Sequence, residues 1–199
     1  MSALTDVLTP TAWQERAAPR LLLDALLVLG GSLLVAGSAR LAVHLPFTPV
    51  PVTGQTAAVL LVGAALGSRR GALAMAAYLA QGLAGFPVFA GGGCCLPWLL
   101  GPTAGYLWSY PLAAFVVGAL AERGWDRRPA GAVAAMAIGN ALIYVVALPW
   151  LAAFVGVGNV LEAGLLPFIP GDLLKIALAA LVLPSAWALV GRGRQRLDP

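Results

Sequence analysis

Asp172 and Lys175 stand three residues apart in the stretch Pro167-Phe168-Ile169-Pro170-Gly171-Asp172-Leu173-Leu174-Lys175, between apolar segments of a chain that otherwise avoids charge. Pro167, Pro170 and Gly171 break any helix that precedes them. Asp172 is then expected to open a new helix, where a carboxylate caps free N–H groups and favours the dipole. The spacing puts both side chains on one face of the first turn. An acceptor and a cationic donor held together at the mouth of a membrane helix form a site for a ligand with matching polar groups. Charge inside a membrane segment is expensive and marks function. The plainer reading is a cap plus an interfacial lysine whose ammonium reaches water; the spacing favours the site.

Other polar residues recur inside apolar segments. Gln55 and Thr56 open one of them. Tyr78 and Gln81 lie three apart in the next, so they share a face. Tyr106, Trp108, Ser109 and Tyr110 follow further on, and Asn140 and Tyr144 lie four apart. In a helix bundle the commoner use of such residues is a bond to a neighbouring helix, and aromatics near helix ends anchor the interface. Both readings stay open for each residue. Asn140, with a donor and an acceptor near the middle of its segment, and Tyr144 are the stronger ligand candidates.

Enzyme chemistry finds little support. There is no G-x-x-x-x-G-K-[ST], H-E-x-x-H or G-x-S-x-G stretch, so the chain has no P-loop with which to hydrolyse ATP. His44 is the single histidine, and the two cysteines are adjacent at Cys94 and Cys95, without metal-ligand spacing. A disulfide between neighbours is strained, so the pair reads as two small side chains in a tight loop. No metal and no cofactor are expected.

The elements that must position these groups are membrane helices. Of 199 residues 60% are hydrophobic and only 10% charged, and the mean hydropathy is +0.89. Soluble domains average about 25% charged and about 45–50% apolar residues. The net charge of +4 does not point to nucleic acid, because the basic residues recur in short loops instead of one patch. A span needs about 20 apolar residues, and six segments are expected: 21–43, 53–67, 71–90, 101–121, 130–154 and 172–190. With the N-terminus in the cytoplasm, ten of the twelve Lys and Arg residues fall on the inner side: Arg16, Arg20, Arg69, Arg70, Arg123, Arg127, Arg128, Arg192, Arg194 and Arg196. Arg40 and Lys175 lie at outer helix ends. This positive-inside pattern predicts an all-α, multi-pass protein with six transmembrane helices and both termini cytoplasmic. The expected organisation is a tail over 1–19, a membrane domain over 20–191 and a basic tail over 192–199. Ser32 and Ala36, four apart, mark a face of the first helix suited to close helix approach.

The outer connections, Pro46–Pro51, Gly91–Gly101 and Asn159–Gly171, are rich in Pro and Gly and unusually apolar. Irregular backbone at membrane depth is tolerated only where protein buries it or a cavity needs it. A ligand site opening outward beneath these connections is expected.

The run Leu45-Pro46-Phe47-Thr48-Pro49-Val50-Pro51-Val52-Thr53-Gly54-Gln55-Thr56 resembles the start of the BioY family, the biotin-binding S components of energy-coupling-factor (ECF) transporters. The likeness continues through Gly67–Ala72, Gly85-Phe86-Pro87-Val88-Phe89-Ala90-Gly91-Gly92, Leu100–Tyr106, Gly139-Asn140 and Pro149-Trp150-Leu151 to Asp172 and Lys175. It covers about residues 20 to 190, in order and with matching spacing. The chain departs from the family at Gly93-Cys94-Cys95, where a glycine- and serine-rich run is usual, and at Gly54, where a larger apolar residue is common.

The resemblance implies an ECF S-component bundle in a bacterial inner membrane that takes biotin from outside. Asp172 would accept from a ureido N–H and Lys175 would donate to the ureido oxygen or to another acceptor of the ligand, as the matching residues of relatives meet the ligand. Gln55, Tyr78, Gln81, Phe89, Tyr106, Asn140 and Tyr144 complete the expected set, with Gly91 and Gly92 offering backbone N–H groups to the valerate. Energy would come from a transmembrane coupling (T) protein and ABC-type ATPase subunits. The rival readings are an S component for another vitamin or heterocycle, and a membrane scaffold without ligand.

Overall fold

A computed structural model describes residues 3–8 and 17–195. Six helices of 12 or more residues form its body: α2 (Ala17–Ser38), α3 (Gln55–Leu66), α4 (Ser68–Leu83), α6 (Ala104–Glu122), α7 (Pro129–Val155) and α9 (Ile169–Gln195). Three short helices accompany them, α1 (Leu4–Leu8), α5 (Cys95–Leu100) and α8 (Val160–Gly164). A small antiparallel ribbon pairs β1 (Ala42–Val43) with β2 (Val52–Thr53), setting Ala42 opposite Thr53.

The long helices are rich in Leu and Ala, strong helix formers, and apolar around most of their circumference. Arg20–Ser38, Ala104–Glu122, Pro129–Val155 and Ile169–Leu189 are each long and apolar enough to cross a membrane. α3 is as apolar, but its 12 residues reach only about 18 Å. The outer surface is hydrophobic: Leu173, Leu174, Leu178, Leu181 and Val182 of α9 are all exposed. So wide an apolar exterior belongs in lipid.

α6 is the hub, packed against α3, α4 and α7. A Cβ at Gly63 of α3 would lie 2.5 Å from the Ala114 carbonyl oxygen of α6, so the backbones meet there and only glycine fits. Ser32 and Ala36 are buried, and the face they mark is covered by α4 of the same chain: Gln81 donates to Ser32 Oγ at 2.9 Å.

The two ends of the bundle differ. At one, Glu122 accepts from the Ser68 amide at 2.7 Å, and Arg70 pairs with Asp6 at 2.5 Å and Asp24 at 2.7 Å. Thr5 adds a bond to the Ala65 carbonyl at 3.2 Å. Part of the expected N-terminal tail is therefore a packed helix. At the other end lie the ribbon and the apolar connections, where Arg40 donates to the Pro87 carbonyl at 2.8 Å.

Four expectations are corrected. The first helix stops at Ser38 and residues 42–43 join the ribbon, whose partner strand leaves the proline-rich turn at 46–51. The third stops at Leu83, ahead of Gly85 with its φ of +97° and Pro87. The glycine- and proline-rich connections contain α5 and α8, too short for hydrophobic periodicity to register. Cys94 and Cys95 are joined in a disulfide. Arg16 and Arg196 lie outside the described residues, as do the side chains of Arg192 and Arg194.

Candidate ligand cavity

A cavity of about 520 Å³ opens beneath the apolar connections, lined by Gln55 and Thr56 of α3, Tyr106, Leu107 and Tyr110 of α6, Tyr144 of α7, and Asp172 and Lys175 of α9. Val50 and Pro51 just before the ribbon's second strand, Thr53 within it, Ala90, Trp98 of α5, Thr103 and Phe168 complete the lining.

Hydrogen bonds pin the covering segments. Thr48 Oγ1 donates to the Ala163 carbonyl of α8 at 2.6 Å, and Tyr106 Oη to the Gly164 carbonyl at 2.6 Å. Trp108 and Trp150 hold the α5 region through the carbonyls of Leu99 and Gly101, at 3.1 and 2.9 Å. The cover is thus tied to α6 and α7, the most extensively packed pair of helices in the bundle.

The polar floor is a connected group. Asp172, 6% exposed, accepts from Tyr144 Oη through Oδ2. Through Oδ1 it accepts from Lys175 Nζ at 3.2 Å. The same ammonium donates to Thr56 Oγ1 at 2.8 Å. Asp172 is not the cap that its place after Gly171 suggested. α9 already begins at Ile169, and the Asp172 amide bonds the Phe168 carbonyl at 2.9 Å. Pro170 sits in the first turn, where a missing N–H costs nothing, so the carboxylate is free to turn toward α7 and the cavity.

Aromatic rings form the walls. Tyr106 meets Tyr144 edge-on at 6.3 Å and 86°, and Phe168 lies 6.4 Å from Tyr106. A ring-shaped apolar ligand body would pack against these faces, while one polar edge met the carboxylate and ammonium in a site largely closed to water, where charge-assisted bonds are strong.

The structure brings together five of the sequence-predicted residues, Asp172, Lys175, Gln55, Tyr106 and Tyr144. Tyr78 and Phe89 stand behind the wall. Tyr78 accepts from Gln55 Nε2 at 2.5 Å and donates to the Val88 carbonyl at 3.1 Å. The Phe89 ring meets Tyr78 at 5.5 Å and Trp98 at 6.4 Å. Asn140 faces a smaller hollow of about 230 Å³, with Leu60, Met136 and Ile176, which shares Lys175 with the main cavity. Gln81 is spent on Ser32, away from the cavity. The amides of Gly91 and Gly92 bond the carbonyls of Ala39 and Phe89, at 3.2 and 2.9 Å, so neither is turned to a ligand carboxylate. Thr56 and Tyr110, polar residues already noted within their segments, line the wall too, and Thr53, Trp98, Thr103 and Phe168 join it in addition. Their sequence signal is position: each is polar or aromatic at an outer segment end or in an apolar connection.

A helical membrane protein with a polar-floored cavity beneath a proline- and glycine-rich cover is the class this fold and site define. The BioY family model matches residues 11–192, and the chain belongs to the BioY family. It is 36% identical to the biotin transporter BioY of Rhizobium etli over 165 residues, 79% of this chain and 88% of that one. It is 40% identical to the biotin transporter BioY of Rhodobacter capsulatus over 167 residues, 72% and 86% of the two chains. The fold is similar to the crystal structure of the S-component for biotin from an ECF-type ABC transporter, with a TM-score of 0.73 at 22% identity, covering 85% of this chain and 93% of that one.

Proposed function

We propose that this chain is the substrate-binding subunit of a biotin transporter, capturing biotin in the cavity floored by Asp172 and Lys175. The observation that carries this is the pair of buried Asp172 and half-buried Lys175, 3.2 Å apart, facing an aromatic-walled cavity of about 520 Å³ in a chain of the BioY family. Biotin offers two ureido N–H donors and one carbonyl on one edge, with an apolar thiophane behind. Asp172 accepts a ureido N–H, Lys175 donates to the ureido oxygen, and Tyr106, Tyr144 and Phe168 enclose the rings. Thr56 and Tyr144 hold the ammonium and the carboxylate in place. Gln55 meets the ligand with Tyr78 and Phe89 behind it; Asn140 supports Lys175 from the lower hollow, and Gln81 secures α4 to α2.

All six long helices cross the bacterial inner membrane, α3 and α4 by means of the irregular segments that extend them. Both termini lie in the cytoplasm and the cavity opens outward. That orientation puts Arg69, Arg70, Arg123, Arg127 and Arg128 on the inner side, as the positive-inside bias requires. Release into the cell is driven by a coupling (T) protein and ABC-type ATPase subunits, since the sequence contains no P-loop.

Competition tests the assignment of the polar edge. Lipoic acid shares the valerate and a sulfur-containing ring but has no ureido group, so it leaves the polar floor unpaired, a loss of about 1–3 kcal/mol or more. Unlabelled biotin should displace labelled biotin from the purified protein while lipoic acid does not. Equal displacement by both would rule out ureido recognition.

A further inference from the structure

The end of the bundle opposite the cavity has a second feature that biotin capture leaves unused. Between α6 and α7 runs the loop Arg123-Gly124-Trp125-Asp126-Arg127-Arg128, whose centre, Trp125–Arg127, forms a single 3-10 turn. The acids on and beside this loop are turned inward. Glu122 is taken by the Ser68 amide and hydroxyl, at 2.7 and 3.0 Å. Asp126, 1% exposed, accepts from Trp187 Nε1 at 2.5 Å. The arginines are all exposed. Among the described residues none of the three has a carboxylate within salt-bridge distance, and Arg127 stacks over the Trp187 ring at 4.4 Å.

Arg123, Arg127 and Arg128 border one open cleft with Trp125 and the first turn of α7, Ala130 and Gly131. The turn packs so tightly on that helix that a Cβ at Gly131 would lie 2.3 Å from the Trp125 carbonyl oxygen, which fixes the cleft's shape. α7 begins with Pro129 and has no side-chain cap, leaving its first amides turned toward the same space. Below the cleft the α7 surface stays apolar along one face: Ala134 borders the cleft, and Ile138 and Val145 are exposed beyond it on the same side of the helix.

We propose that this cleft binds the phosphate of an anionic phospholipid headgroup, with one acyl chain lying along Ala134, Ile138 and Val145. Three exposed guanidinium groups, none in a salt bridge among the described residues, supply charge and fork geometry suited to phosphate. The half-exposed Trp125 sits at the level where indole rings meet headgroups. The continuous apolar strip distinguishes a lipid from a free anion. The proposal rests on the membrane-embedded reading of the fold and is independent of which ligand occupies the cavity.

The experiment titrates the purified full-length protein, in a neutral detergent, with short-chain phosphatidylglycerol, short-chain phosphatidylcholine and inorganic phosphate, counting bound molecules by native mass spectrometry. Saturable binding of one phosphatidylglycerol is expected, with phosphatidylcholine and phosphate both much weaker. Arg123→Gln/Arg128→Gln should weaken binding about fivefold per charge removed. Arg20→Gln/Arg69→Gln removes equal charge outside the cleft and should leave it unchanged. Equal loss in both double variants would overturn the site in favour of general attraction. Equal binding of phosphatidylcholine, phosphate binding as tight as phosphatidylglycerol, or no lipid binding by monodisperse wild type would overturn it as well. The last of these would leave the cleft to a protein partner.

Discussion

Lys175 Nζ on α9 lies 2.8 Å from Thr56 Oγ1 on α3, across 119 positions of sequence. That contact decides where the ammonium points. Asp172 lies on the same helix as Lys175, so their bond alone does not tie α9 to the rest of the bundle; Thr56 and Tyr144 do. The ligand floor is therefore a junction of three helices, and its geometry depends on residues that need not touch the ligand.

Thr56→Val keeps the shape of the side chain and removes the acceptor. A hydrogen bond to a charged group contributes about 1.5–3 kcal/mol. Biotin affinity should fall at least tenfold, while Thr56→Ser should stay near wild type. Calorimetric titration of the three proteins checks this, and identical affinities for the wild type and the valine variant would remove Thr56 from the site.

Tyr144→Phe leaves the wall intact and deprives Asp172 of a donor. The carboxylate is then held by Lys175 alone, and affinity should drop by about tenfold, in line with the loss of one charge-assisted bond. The ratio of biotin dissociation constants for the two proteins measures it.

Gln81 offers the opposite test. Its bond to Ser32 Oγ joins α4 to α2, so Gln81→Leu should lower thermal stability, by about 1 kcal/mol, and leave biotin affinity unchanged. A weakened affinity at unchanged melting temperature would return Gln81 to the ligand.

Asp126 predicts a pH effect. Burial raises its pKa above the ordinary carboxylate value, an effect that the Trp187 N–H and Arg127 only partly offset. In the interval between about 3.9 and that raised value the folded state holds more protons than the unfolded state. Stability is therefore fully present below the interval and declines as pH rises through it. Asp126→Asn should flatten that decline in a melting-temperature series across pH, and an unchanged slope would contradict the assignment.

The packing of the hub yields a paired prediction. Gly63→Ala places a methyl group 2.5 Å from the Ala114 carbonyl oxygen and should cost about 1–3 kcal/mol through overpacking. Gly30→Ala, with nothing within 4 Å, should be neutral or stabilising. Melting curves of the two proteins in one detergent compare them.

Much of this was legible in sequence because membranes make patterns blunt. Apolar runs marked the six long helices, and the offset of three between Asp172 and Lys175 marked the two charged groups of the cavity floor. The ends of the helices were less legible. Leu41–Val43 continue an apolar run, and only the partner strand at Val52–Thr53 shows that they leave the helix. Pairing across helices was also hidden: Tyr78 and Gln81 share a face at spacing three, yet one reaches Gln55 and the other Ser32. Spacing places a side chain on its own helix and says nothing of which neighbour faces it. The link between Cys94 and Cys95 runs against the general strain argument for adjacent cysteines, and no feature of the flanking residues announced it.

The most direct measurement is equilibrium binding of biotin to the purified protein beside Asp172→Asn, with both proteins monodisperse and equally helical. The asparagine keeps the size of the side chain and loses the charge that meets Lys175 and that the proposed function sets against a ureido N–H. Tight binding at one biotin per chain in the wild type, lost in the variant, is the predicted result. Equal affinity in the two proteins would contradict the account at its centre.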